Sequence, residues 1–183
     1  MIVRACIFDL GGTIVDKYSL TSIVSFRNAF TKINIDVPRE LIRKDMGMNK
    51  KEHIEKIMKD EYILKQWLKN NLELPIKNDI EEIYNSFGRI QMNKISESLT
   101  LIPQTIQCMQ KLKEKNIKIG VTTGWNKEQM TEVKKLLVKN NIHIDSYVSS
   151  TCLNKPGRPH PYMIHQVMDE LDIDDPKRII KID

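Results

Sequence analysis

The chain has 183 residues and a net charge of +5, with 40% hydrophobic and 29% charged residues. These values fit a globular domain with room for a smaller inserted module. No apolar run reaches the length of a membrane span and no signal-peptide pattern is present, so we expect a cytoplasmic protein. Lysines interleaved with acids favour solvated helix faces over a nucleic-acid surface, and three scattered cysteines predict reduced thiols without a metal site.

The chain begins with a short apolar run over residues 2–8, which predicts a buried strand ended by Gly11-Gly12. After residue 98 the pattern alternates between helices and strands. We predict a helix from Pro103 to about residue 115, a strand over 117–122, a helix over 126–139, a strand over 145–149, a helix over 161–171 and a strand over 179–182. Such alternation predicts an α/β fold with a Rossmann-like parallel sheet covered on both faces.

The middle of the chain, from about Ser19 to Ser98, shows only helical patterns. Pro38 lies near the start of one predicted helix, and Pro75 separates two others. We therefore predict two domains, a sheet-containing core formed by residues 1–18 and 99–183 and an inserted all-helical cap formed by residues 19–98.

Polar residues follow three of the predicted strands. They are Asp9, Thr122-Thr123 and Ser149-Ser150. In an open parallel sheet, ligands bind at the carboxyl ends of the strands, so we expect these residues to meet at one edge.

Asp9 and the loop after it form the first candidate site. At a strand end, Asp9 can attack a phosphorus atom as a covalent nucleophile. Gly11 and Gly12 allow close approach of the backbone, and Thr13 can donate a hydrogen bond near the phosphoryl group. The alternative is that Asp9 caps the next helix and that Gly11-Gly12 is a plain turn.

Two further segments could bind the phosphoryl group. Thr123-Gly124-Trp125 precedes a predicted helix and offers a hydroxyl and free N–H groups, although a simple N-cap would look the same. Arg158 lies in a rigid proline-rich segment and could bind phosphate oxygens through both guanidinium N–H groups. It could equally be a solvated surface arginine.

Residues 45–58, DMGMNKKEHIEKIM, contain the most informative pattern. Asn49 and Glu52 resemble a capping box, which predicts a helix beginning at Lys50. Lys50, His53 and two isoleucines would then share an apolar face. Burial and the positive end of the helix dipole would lower the pKa of Lys50, which could then form a Schiff base while His53 transfers protons. The alternative is a Lys50 that reaches solvent beside a half-buried His53.

Together these segments resemble the haloacid dehalogenase superfamily, and within it the phosphonoacetaldehyde hydrolase (phosphonatase) family, almost from end to end. FDLGGTIVD resembles the nucleophile loop, in which related phosphatases place an acid two residues after the first Asp and this family typically has Ala. MGMNKKEHI is similar to the cap-domain lysine motif, with Met46 before Lys50. IGVTTGWNKEQM and GRPHPYMI resemble the phosphate-binding and arginine segments, and Trp125 replaces the usual Tyr.

The resemblance implies hydrolysis of the carbon–phosphorus bond of phosphonoacetaldehyde to acetaldehyde and phosphate. Lys50 would form the Schiff base, Asp9 would form an aspartyl phosphate, and His53 and Met46 would lie beside Lys50. Gly12, Thr13, Thr123, Gly124, Trp125 and Arg158 would contact the substrate. Mg²⁺ would be held by Asp9, the Gly11 carbonyl and an acid, here Asp183. An acid at position 11 is unnecessary because the leaving group departs as an enamine.

The resemblance also implies a small-molecule substrate and a possible homodimer formed through the cap, with no nucleic-acid or membrane partner. In the family the last strand continues into an acidic metal-binding loop and several dozen further residues, so the chain resembles a C-terminally truncated copy. The alternatives are another phosphatase of the superfamily, which Gly11 disfavours, and an inactive remnant that binds phosphate or a protein partner.

Overall fold

The structure, a computed structural model, describes residues 2–183, apart from the side chains of Tyr18 and Ser98. The described chain divides into two compact units. The sheet unit contains the residues up to Ser19 together with Leu99–Asp183, and the helical unit contains Leu20–Ser98. None of the helices in the described part of the chain is long and apolar enough to span a membrane.

Strands and helices alternate in the segments that form the sheet unit, and the segment between them is helical. In chain order they are β1 (Ala5–Asp9), α1 (Leu20–Thr31), α2 (Arg39–Lys44), α3 (Lys50–Met58), α4 (Glu61–Asn70), α5 (Lys77–Ser98), α6 (Pro103–Glu114), β2 (Lys118–Thr123), α7 (Lys127–Lys139), β3 (Ser146–Ser149), α8 (Tyr162–Glu170) and β4 (Ile179–Ile182), with short 3-10 turns at Lys17–Ser19 and Pro176–Arg178.

The four strands form one parallel sheet in the order β3-β2-β1-β4, which confirms the predicted α/β core. β1 begins at Ala5 and not at Ile2, so the predicted start of this strand was wrong. Ala5 is the first residue with a partner on either side, Lys118 on β2 and Ile179 on β4, and Ile2 is exposed because neither neighbouring strand extends opposite it.

Both faces of the sheet are covered. Ala5 and Ile7 point to one face, where they pack with apolar residues of α8, including Met163 and Val167. Gly120 of β2 allows this packing, because a Cβ there would overlap the Val167 side chain. Successive side chains of a strand alternate, so buried Cys6 points to the other face. Burial, together with nearby Cys108 of α6, raises the pKa of the Cys6 thiol.

The helical unit has its own apolar core, built where α1, α3, α4 and α5 pack. The largest buried side chains are aromatic, Phe26, Phe30 and Phe87, joined by Trp67 at the edge. A buried hydrogen bond of 2.8 Å from Gln91 Nε2 to Ser22 Oγ fixes α5 against α1. The helices of this unit thus pack around an apolar core of their own.

Candidate active site

The carboxyl ends of β1, β2 and β3 bring the predicted polar residues together. Asp9 pairs in register with Thr122, and Thr123 pairs with Ser149. The backbone N–H of Ser150 donates to the Thr123 carbonyl at 2.8 Å, so the polar edge continues past the last strand pair. This is the edge at which open parallel sheets bind ligands.

Arg158 meets Asp9 at this edge, although 149 positions separate them in the chain. Its Nη2 donates to Asp9 Oδ1 at 2.7 Å, to Thr122 Oγ1 at 2.9 Å and to the Thr122 carbonyl at 3.0 Å. The side chains of Arg158 and Asp9 are only 22% and 15% exposed, so water screens their attraction less than it would on the surface. Arg158 is therefore not a solvated surface arginine, and the role of Asp9 as a nucleophile stays a prediction.

The loop after Asp9 is fixed by its own backbone. Gly12 has a φ of +92°, which strongly favours glycine, and a Cβ there would lie 2.7 Å from Ser19 Oγ. Gly12 N–H donates to the Val15 carbonyl at 2.7 Å, and Thr105 Oγ1 donates to the Thr13 carbonyl at 2.6 Å. The Thr13 side chain is half-buried, and its proposed contact with a phosphoryl group stays a prediction.

Ser19 was missed by the sequence analysis. Its hydroxyl donates to the Gly11 carbonyl at 3.3 Å, and its backbone has a positive φ of 54°. Ser19 thereby orients the carbonyl that the family resemblance assigns to a metal. No local sequence signal identifies this contact, since it joins the end of a 3-10 turn to a loop eight residues earlier.

The segment after β2 is held by hydrogen bonds to its own backbone. Thr123 Oγ1 accepts from the Trp125 N–H at 3.1 Å, and Ser150 Oγ donates to the Gly124 carbonyl at 3.1 Å. Asn126 caps α7, and Gln129 completes the capping box. These hydrogen bonds restrain the turn before α7, and its contact with a phosphoryl group stays a prediction.

Lys181 and Asp183 lie at the end of β4, next to β1. Phe8 pairs with Ile182, so Asp9 and Asp183 each directly follow a paired position. Lys181 Nζ is paired with the Asp183 carboxylate and donates to the Ile182 carbonyl at 3.0 Å. Burial lowers the pKa of Lys181, and Asp183 partly offsets that effect. The sequence analysis did not identify Lys181, although a lysine within the apolar strand IIKI could have indicated a buried cation there.

Among the described residues, no three His, Cys, Asp or Glu side chains form a metal cluster. The predicted ligand set is instead two carboxylates and one carbonyl, from Asp9, Asp183 and Gly11. Hard oxygen donors of this kind suit Mg²⁺. In the structure both carboxylates form ion pairs, Asp9 with Arg158 and Asp183 with Lys181. The chemistry of the donors fits a divalent cation that replaces these contacts.

The helical unit contains a separate group of predicted residues, which we call the Lys50 cluster: Phe26, Met46, Lys50 and His53. Asn49 caps α3 by accepting from the Lys51 and Glu52 N–H groups, so the helix begins at Lys50 as predicted. Lys50 is only 4% exposed, and its Nζ lies 3.8 Å from Met46 Sδ and 5.6 Å from the Phe26 ring centroid. The alternative in which Lys50 reaches solvent is therefore wrong.

His53 is fully buried against Phe26, with ring centroids 4.5 Å apart. Neither ring nitrogen makes a hydrogen bond of normal geometry to the described residues, and the nearby Ile42 backbone only weakly favours the protonated ring. Burial, with a smaller contribution from the Lys50 charge, lowers the pKa of His53 to about 3. His53 is therefore neutral near pH 7 and accepts protons weakly, and the proton-transfer role assigned to it stays a prediction.

Several known proteins are similar to this chain. The model of the haloacid dehalogenase-like hydrolase family matches residues 3–183. The chain is 32% identical over 180 residues to a phosphonoacetaldehyde hydrolase of Latilactobacillus sakei, covering 98% of this chain and 68% of the relative. It is 32% identical over 182 residues to that of Lactiplantibacillus plantarum, covering 100% and 69%.

A solved structure is also similar to this chain. A phosphonoacetaldehyde hydrolase-like protein from Oleispira antarctica superposes with a TM-score of 0.93 at 29% identity. The match covers 99% of this chain and 65% of that one. The chain thus spans about two thirds of the length of these relatives.

Proposed function

We propose that this chain, which belongs to the haloacid dehalogenase-like hydrolases and among them to the phosphonoacetaldehyde hydrolase family, cleaves the carbon–phosphorus bond of phosphonoacetaldehyde or a close aldehyde phosphonate. The products would be acetaldehyde and phosphate. The observation that carries the proposal is the burial of Lys50, a primary amine, among Phe26, Met46 and His53.

Burial gives Lys50 the chemistry that an aldehyde requires. Removal from water disfavours the ammonium form, and a neutral amine can attack a carbonyl carbon. Lys50 Nζ would condense with the aldehyde and release water, which gives a protonated imine. When the carbon–phosphorus bond breaks, its electron pair moves toward the imine and leaves an enamine. Hydrolysis of the protonated enamine would then release acetaldehyde and regenerate Lys50.

Asp9 supplies the nucleophile for phosphorus. Its carboxylate oxygen would bond to phosphorus as the carbon–phosphorus bond breaks, giving an aspartyl phosphate that water later hydrolyses. Arg158 already bonds to Asp9 and has further guanidinium N–H groups that can bind the phosphoryl oxygens. Thr13, Thr123, Gly124 and Trp125 would complete the phosphoryl site, since they lie in the loop after β1, at the end of β2 and in the turn that follows β2.

A divalent cation, Mg²⁺ in our proposal, would be held by the Asp9 carboxylate, the Gly11 carbonyl and Asp183. When bound it would neutralise negative charge on the phosphoryl oxygens. The Ser19 hydroxyl fixes the direction of the Gly11 carbonyl, which supports its assignment as a ligand. Arg158 and Lys181 are paired with the two carboxylates in the structure.

Borohydride trapping tests this function. The protein is incubated with phosphonoacetaldehyde, reduced, digested and analysed by mass spectrometry. We expect one reduced adduct on Lys50, which Lys50→Met removes. Lys51→Met is the matched control, because Lys51 is adjacent, partly exposed and paired with Glu81, and this variant should keep the adduct. A folded protein that gives no adduct, or adducts spread over many lysines, contradicts the Schiff-base role.

A further inference from the structure

Position 11 favours glycine because of a side-chain contact and not because of its backbone angles. Its φ is not in the left-handed region, unlike those of Gly12 and Gly47. A Cβ placed on Gly11 would instead lie 2.9 Å from Trp125 Cζ2, 3.2 Å from Cε2 and 3.3 Å from Nε1. Carbon atoms in contact are normally about 3.5–4.0 Å apart, so a side chain at position 11 and the indole cannot share this space.

Little on the indole side can move. Trp125 is 3% exposed, and its N–H is bonded to Thr123 Oγ1 at 3.1 Å. Its carbonyl accepts from Ser150 Oγ at 3.4 Å, and Asn126, the next residue, begins the capping box of α7. The backbone of Trp125 is therefore held in place, and a shift of its indole would disturb the packing of a buried side chain.

The loop on the other side is equally constrained. Gly11 bridges to Val15, and the neighbouring Gly12 N–H donates to the Val15 carbonyl at 2.7 Å. Ser19 Oγ binds the Gly11 carbonyl, and the left-handed Gly12 fixes the turn. Since neither the loop nor the indole can retreat cheaply, the two residues are complementary in shape.

We propose that Trp125 is a specificity-determining residue that keeps side chains, and acids in particular, out of position 11. An acid two residues after the nucleophile could protonate a leaving oxygen, which phosphate esters of ordinary alcohols require. With that position closed, only substrates whose leaving group departs without a proton from the protein are turned over efficiently. The proposal takes from the proposed function only the role of Asp9 as the nucleophile.

Thermal unfolding tests the steric part without any activity. Gly11→Ala in the wild-type background should lower the melting temperature by roughly 3–10 °C, because it overpacks a rigid site. In a Trp125→Leu background, which lacks the three indole atoms, the same change should cost less than half as much. If Trp125→Leu does not fold, Trp125→Tyr serves as the second background. If Gly11→Ala lowers the melting temperature equally in both backgrounds, the proposed steric contact between Gly11 and Trp125 is wrong.

Phosphate release from β-glycerophosphate, an alkyl phosphate ester, tests the chemical part. Gly11→Asp with Trp125→Leu should release phosphate at least about tenfold faster than Gly11→Asp alone, since only the pair leaves room for the acid. Equal release in the two backgrounds overturns the specificity role. The melting temperatures can show that Gly11 and Trp125 are coupled even if borohydride gives no adduct on Lys50. In that case the steric role of Trp125 is supported and the proposed substrate is wrong.

Discussion

The Asp9–Arg158 pair of the sheet unit and the Lys50 cluster of the helical unit both hold ionisable groups away from water, among different neighbours. Asp9 is matched by a guanidinium that also bonds to Thr122. Lys50 is buried with a thioether, an aromatic ring and a neutral imidazole close by. The proposed function asks different things of the two groups. A carboxylate nucleophile would have to stay ionised, and an amine that forms a Schiff base would have to lose its proton.

The largest effect is expected from Lys50→Met, which keeps the approximate size of the side chain and removes the amine. We expect activity on phosphonoacetaldehyde to fall on the order of 10³-fold or more, because the Schiff base cannot form. Lys51→Met is the matched control and should keep the activity, because Lys51 is partly exposed and paired with Glu81. A folded Lys50→Met protein that keeps most of its activity would contradict the Schiff-base role.

The second effect concerns pH and His53. Its pKa is about 3 in the folded chain, against an ordinary value of about 6.5 when unfolded. Between these values the unfolded chain binds more protons, so the free energy of unfolding decreases as pH falls from about 6.5 to 3. The full window corresponds to at most roughly 4–5 kcal/mol.

Urea unfolding from pH 7 to pH 4 measures this contribution. His53→Leu should show a shallower pH dependence than wild type, because the titrating group is gone. The same substitution at exposed His143 is the matched control and should leave the slope unchanged. Parallel slopes for His53→Leu and wild type would refute the lowered pKa of His53.

Arg158→Met tests the charged pair of the sheet unit. It leaves Asp9 partly buried without its cation and removes hydrogen bonds to a charged group, so stability should fall by about 1–3 kcal/mol. Denaturant unfolding measures the loss. Adding Asp9→Asn should recover part of it, because no charge then remains unpaired. If Arg158→Met leaves stability unchanged, the guanidinium does not stabilise the Asp9 carboxylate.

The smallest effects separate a constrained glycine from an unconstrained one. Gly12→Ala meets a positive φ and the Ser19 hydroxyl, and should cost about 1–3 kcal/mol. Gly88→Ala in α5 is the matched control, because nothing lies within 4 Å of the added carbon. It should stabilise the helix by about 0.5–1 kcal/mol. Unfolding midpoints in urea would measure both changes, and equal signs would contradict the constraint at Gly12.

Local signals in the sequence were sufficient where one segment decides the structure. The strand over residues 179–182 has the predicted bounds, and Asn49 caps the helix that starts at Lys50. In both cases a few neighbouring residues determine the outcome, an apolar run in one and a side-chain cap in the other.

The rest depends on contacts between distant segments. The start of β1 is set by where β2 and β4 begin, which an apolar run cannot reveal. The bond between Asp9 and Arg158 and the closure of position 11 by Trp125 join residues from different loops. Sequence patterns identified Asp9, Arg158 and Trp125 singly, but the pairing of their side chains arises only when the strands align.

The position of β1 has a consequence for the order of folding. Ala5 pairs with Lys118 and Ile179. The backbone of the first strand therefore cannot complete its hydrogen bonds until most of the chain has been synthesised. The helices between are formed by closer neighbours and can assemble first. Pulse-labelled hydrogen exchange during refolding would show β1 protected after α1 and α5. Until then the short apolar strand that ends in Asp9 stays unpaired, and an unpaired strand of this kind favours aggregation.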